Sequence, residues 1–133
     1  MAKRISDQDI SKIIAQGDAV ILVREADRFG SELANDRLSK SQIRGAFGTV
    51  RQIQANWEKD EPQTRMRKVL LLKPRLAYQG ARDRKVKPLA NVLSTAIDEV
   101  SKASAIDEQT QRFERFVDLF EAILAYHTAA GGK

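Results

Sequence analysis

Lys68, Arg75 and Arg82 stand seven residues apart in the stretch KVLLLKPRLAYQGAR. Seven residues is close to two α-helical turns, so on a helix these three cationic heads line up roughly 10 Å from one another. Guanidinium and ammonium groups in a row make and break no bonds; they hold anions, and the guanidinium fork matches a phosphate with two parallel hydrogen bonds. Phosphates along an extended single strand repeat at about half that interval or a little more, so the row can meet alternate phosphates. Tyr78 falls among these residues and offers a ring on which a base or sugar can rest. Lys73 projects from the opposite, apolar side of an ideal helix. Pro74 removes an intrahelical hydrogen bond, and the bend expected there re-aims Lys73 toward the exposed surface; a lysine that merely snorkels is the alternative.

The surrounding charge is one-sided. Nine basic residues lie between Arg65 and Lys87 against Asp83 alone, which gives +8 in a chain whose formal net charge is +5, so the remainder is net acidic by three. A solvated helix face ordinarily mixes signs to gain pairs three and four residues apart, and this one does not. A bland charged face remains the competing reading. Arg44 and Arg51 lie beside each other just outside an apolar stripe, where they serve either as further anion contacts or as packing elements.

Catalytic chemistry finds little to work with. The 133 residues include no cysteine and a single histidine, which excludes disulfides, thiolate metal sites and cysteine nucleophiles. His127 sits within the apolar arc of the last helical segment, where a packing role or a C-terminal dipole contact is expected. The acid pairs Asp7/Asp9, Asp60/Glu61 and Asp107/Glu108 all fall at helix starts, where carboxylates favour the dipole without any metal. Gly45 and Gly48 lie inside a helix and form no phosphate loop; they suit close helix packing or a close approach by a polyanion backbone. No catalytic, metal or cofactor site is expected.

The elements that must position these residues read as helical throughout, because apolar residues recur at three and four. Ser6 opens a short helix carrying Ile10, Ile13 and Ile14 up to Gly17. Asp18 caps a second, with Ala19, Leu22, Val23, Ala26, Phe29 and Leu33 inward. The run AVILV has the composition of a buried strand but no partner strand, so it too is read as helix. Ser39 and Gln42 form a capping box before Ile43, Phe47, Val50, Ile53 and Trp57. Pro62 opens the basic helix, whose inward face is read as Met66, Val69, Leu70, Leu72, Leu76 and Ala77. Pro88 opens the fifth, and the last runs from about Asp107 with four aromatics to a GGK tail expected to fray. The expected fold class is all-α, a compact bundle of five to six short helices forming a single domain over residues 1–133. No apolar window approaches the ~18 residues of a membrane span, and the chain is read as cytoplasmic.

Three segments, SQIRGAFGTVRQI (Ser41 to Ile53), LLLKPRLAYQGAR (Leu70 to Arg82) and FVDLFEAILAYH (Phe116 to His127), in this order resemble the small helical subunit of type III-A CRISPR effector complexes, the Csm complex. The similarity covers about Leu38 to His127. It implies a non-catalytic subunit present in several copies, lining the channel for guide and target RNA and touching the target strand without reading its sequence. Carried over by position, the basic contacts it implies are Arg44, Arg51, Lys73, Arg75 and Arg82. Gln79-Gly80 stands where family members often have two small residues. The partners implied are guide RNA, target RNA, the other Csm subunits and copies of the chain itself, in antiviral defence.

Two further expectations follow. Glu114, Asp118 and Glu121 lie on the last helix away from its apolar arc, with no evident basic partner, and are expected to meet a neighbouring subunit. A helical DNA-binding regulator or another basic nucleic-acid-binding adaptor is the alternative function; for the regulator, the break at Gly17 presents no basic second helix for a groove.

Overall fold

The structure, a computed structural model, describes residues 1–133 and contains six α-helices and no strand. They are α1 (Asp7–Ile14), α2 (Ala19–Asn35), α3 (Lys40–Ala55), α4 (Pro62–Arg82), α5 (Lys87–Ser101) and α6 (Ile106–Ala129). Their starts follow local chemistry. Ser6 accepts from the Asp9 amide and Asp18 from the Ile21 amide. At α3, Ser39 accepts from the Gln42 amide while the Gln42 side chain accepts from the Ser39 amide, so two otherwise unpaired donors are satisfied together. Pro62 and Pro88 occupy first turns, where a missing N–H costs nothing. AVILV is the start of α2 and helical.

The hydrophobic centre is one cluster shared by all six helices. α2 lies along α6, and α4 along α5; α1 rests on α5 and α6, while α3 touches α4 and α6 more lightly. α2 and α6 run in the same direction, since Gly17 abuts Arg115 and Gly30 abuts Ile123 and His127. At Gly30 an added Cβ would stand 2.7 Å from the Ile123 carbonyl oxygen, so only glycine permits this approach. Gly80 faces Lys87 and Ala90 of α5 less tightly: an added Cβ would lie 3.4 Å from the Lys87 Cα and 3.5 Å from the Ala90 Cβ, ordinary contact distances that admit a small side chain.

Three sequence expectations change. Leu70 and Ala77 face solvent, and the inward face of α4 is Val69, Leu72, Leu76 and Gly80. At the start of α2, Ile21 and Leu22 pack against the core while Ala19, Val20 and Val23 are exposed. Trp57 lies in the turn after α3, where it stacks on Phe113 with centroids 4.3 Å apart and donates from Nε1 to the Thr110 hydroxyl at 3.0 Å. At the chain end, Gly131 takes a φ of +91°. Its N–H donates to the Thr128 carbonyl, and the Gly132 N–H to the His127 carbonyl, the paired bonds of a Schellman closure. That closure covers His127, which is fully buried with Nε2 2.5 Å from the Leu38 carbonyl. A carbonyl only accepts, so Nε2 carries the proton.

Candidate nucleic-acid interface

α3 and α4 run antiparallel, with Gln42 opposite Asp83 and Thr49 opposite Arg75. Between them lies an open groove that passes Lys68 and Asn56 at one end, Thr49 and Arg75 in the middle, and Arg82 and Ser41 at the other. Its widest section encloses about 400 Å³. Lys68, Arg75 and Arg82 therefore do share one surface in the order their spacing sets. Tyr78, 66% exposed, stands at its edge between the two arginines.

These cations are not equally free. Arg75 is exposed, has no carboxylate partner, and donates from Nη1 to the Thr49 hydroxyl at 2.6 Å. Arg82 is exposed and bonds to nothing in the chain. Lys68 is held by Asp60 at 2.6 Å. Asp83, the one acid in the basic segment, is turned to local duty: one oxygen accepts from the Gln42 amide and the other from the Lys85 N–H at 3.0 Å. Asp83 thus makes no ion pair with Arg82, although its negative charge stays at that end of the groove.

The remaining basic candidates lie elsewhere. Lys73 points to the other side of α4 and pairs with Asp98 of α5 at 2.5 Å. α4 continues as one helix through Pro74, so no restart turns Lys73 toward the groove. Arg44 and Arg51 occupy the flank of α3 away from α4. Arg44 is exposed without a partner; Arg51 lies 4.9 Å from the Phe47 ring centroid and 3.3 Å from Glu121. Gly48 lies on the exposed crest of α3 between this flank and the groove, and Gly45, also exposed, lines the groove itself. A Cβ at either would meet nothing within 4 Å, so neither serves close packing within the chain.

Of the acidic candidates, Glu121 has the basic partner that the sequence did not reveal, Arg51. Glu114 and Asp118 border a hollow where Gly17 meets α6, and have no basic partner. Burial lifts the Asp118 carboxyl above its ordinary value, and the neighbouring Glu121 charge adds to this. Nowhere do three or more carboxylates or imidazoles gather in a way that could hold a metal ion. No helix is long and apolar enough to cross a membrane.

Sequence reasoning missed Thr49, Gln52 and Asn56, the polar wall that α3 contributes to the groove. They recur at three and four residues, a signal that becomes readable only once α3 is known to lie against α4.

By fold and surface the chain is an all-helical protein with a cationic groove between two of its helices. The family model of Csm2, type III-A, matches residues 16–133, so the chain belongs to that family, the non-catalytic small subunit of the Csm effector complex of type III-A CRISPR systems. The match takes in α2, upstream of the three segments that carried the resemblance. Comparison with curated proteins and with solved structures gives no match.

Proposed function

We propose that the α3/α4 groove binds the sugar-phosphate backbone of target RNA beside the guide, without reading its sequence. The observation that carries this reading is the pair Arg75 and Arg82: both exposed, both without a carboxylate partner, each about one helical turn from Tyr78 along the same groove. Specificity in a guided complex comes from base pairing, so a subunit of this kind needs only charge and shape along a strand. Lys68 extends the row at one end, sharing its charge with Asp60. Arg44 and Arg51 supply contacts on the far side of the glycine crest, Arg51 by exchanging Glu121 for a phosphate. Lys73 joins such contacts only by giving up Asp98.

The acidic side of α6, Glu114 and Asp118 with Glu121 beside them, faces away from the core and suits a basic neighbour: another Csm subunit or the groove side of a second copy. The place of action that fits these partners is the cytoplasm. Photocrosslinking tests the groove assignment. Target RNA carrying 4-thiouridine at successive positions, bound to the assembled complex, should crosslink to peptides of α3 and α4. Crosslinks on this chain confined to α2 or α6 would contradict it.

A further inference from the structure

The wide end of the groove has features that backbone binding alone does not require. Its floor is apolar, formed by the buried Ile53 and Leu72, and Leu71 stands on the rim with 54% of its surface exposed. A leucine left in water at the edge of a cationic groove gains nothing from phosphate. Facing it from α3 are two amides. Asn56 donates from Nδ2 to the Gln52 carbonyl at 3.0 Å, which fixes that side chain and leaves its oxygen free, while the Gln52 side chain has no partner in the chain. Lys68 and Arg75 close the two ends of this section, two helical turns apart. Thr49 holds Arg75 in place by accepting from it at 2.6 Å.

Each feature alone fits several ligands, but together they fit one. A lipid chain would use the leucines and leave the amides and cations desolvated. A free phosphate would use the cations and leave the leucines idle. A nucleotide uses all three, with its ring on the apolar floor, its polar edge against the amides and its flanking phosphates toward Lys68 and Arg75. We infer that this section receives one unstacked nucleobase of the bound strand, a pocket that anchors the strand in register along the groove.

Amides carry both donors and acceptors, so Gln52 and Asn56 can rotate to meet any base edge. The pocket therefore senses that a base is present without selecting which base. The inference rests on the groove reading above. It adds a contribution from the base itself, which counterion release does not supply and which salt should leave unchanged.

The test compares a labelled single-stranded 12-mer of oligoadenylate with an abasic ribose-phosphate 12-mer, each titrated with the full chain over a range of salt concentrations. Abasic RNA pays no unstacking cost, so backbone contacts alone would favour it or leave the two equal. The expected result is at least about fivefold tighter binding of the base-bearing strand, with parallel salt slopes. In the double variant Gln52→Ala/Leu71→Ala, both exposed positions, that gap should close while the slope stays. Equal affinities with a normal slope would overturn the pocket and leave the groove standing. A gap that persists in the variant would overturn it in favour of another base contact such as Tyr78. Salt-independent binding of both strands would overturn the groove reading, and the pocket with it.

Discussion

Arg51 on α3 and Glu121 on α6 hold each other, guanidinium nitrogen to carboxylate oxygen at 3.3 Å, while the guanidinium also lies 4.9 Å from the centroid of Phe47. The sequence assigns these two residues to different partners, an RNA strand and a neighbouring protein. In the fold each is the other's ion-pair partner, so a strand or a subunit meeting either one has first to displace the other.

Glu121→Gln should release Arg51. Both side chains are about half exposed, and such pairs contribute at most about 1 kcal/mol, so stability should change little. Affinity for single-stranded RNA should rise by up to about fivefold, read by fluorescence anisotropy. No gain, with unchanged folding, would mean that Arg51 takes no part in binding.

The glycines divide into two kinds that substitution should separate. Gly45→Ala and Gly48→Ala add a methyl into open space and remove a helix-interior glycine, so each should stabilise the free chain by about 0.5–1 kcal/mol in chemical denaturation. If RNA backbone crosses the α3 crest, the same changes should weaken RNA binding. Gly30→Ala places its methyl 2.7 Å from the Ile123 carbonyl oxygen and should cost about 1–3 kcal/mol by forcing α2 away from α6.

Trp57→Ala removes the stacked contact with Phe113, the hydrogen bond to Thr110 and the surface on which Arg65 lies 5.3 Å from the ring centroid. A loss of about 3–5 kcal/mol is expected. Because Trp57 ties the α3–α4 connection to α6, the change should also loosen the groove. Slowed hydrogen exchange of α3 amides in the parent, lost in the variant, would register that effect.

The Asp118 carboxyl, raised by burial and then by Glu121, binds its proton more tightly folded than unfolded. Its contribution favours folding fully below the unfolded carboxylate range and is lost as pH rises through its raised folded value. Asp118→Asn should therefore raise the midpoint of thermal unfolding slightly at neutral pH. The difference should vanish below pH ~3.9, where the wild-type carboxyl is protonated in both states. A gain that persists unchanged at low pH would assign the effect to something other than this charge.

Much of the fold can be read from the sequence because its signals are local. Ser6, Asp18 and the Ser39/Gln42 box mark helix starts by side-chain chemistry within one turn, and Pro62 and Pro88 do so by what they lack. The spacing of Lys68, Arg75 and Arg82 likewise needs only helical geometry. What stayed hidden depends on which helices meet. Leu70 belongs to the apolar arc of an isolated α4, yet α5 covers a different part of that arc and leaves it 43% exposed. Lys73 and Asp98, or Arg51 and Glu121, are 25 and 70 residues apart, and no local pattern pairs them. The Gly131 closure over His127 was hidden by the usual expectation that a terminal GGK frays.

The central claim, that a row of free arginines between α3 and α4 grips an RNA backbone, is tested most directly by the salt dependence of single-stranded RNA binding. Replacing Arg75 and Arg82 together with alanine should flatten the slope of log K against log salt by about 1.4, two contacts at ~0.7 each, with thermal stability nearly unchanged. A folded double variant that keeps the parent's slope would contradict the account.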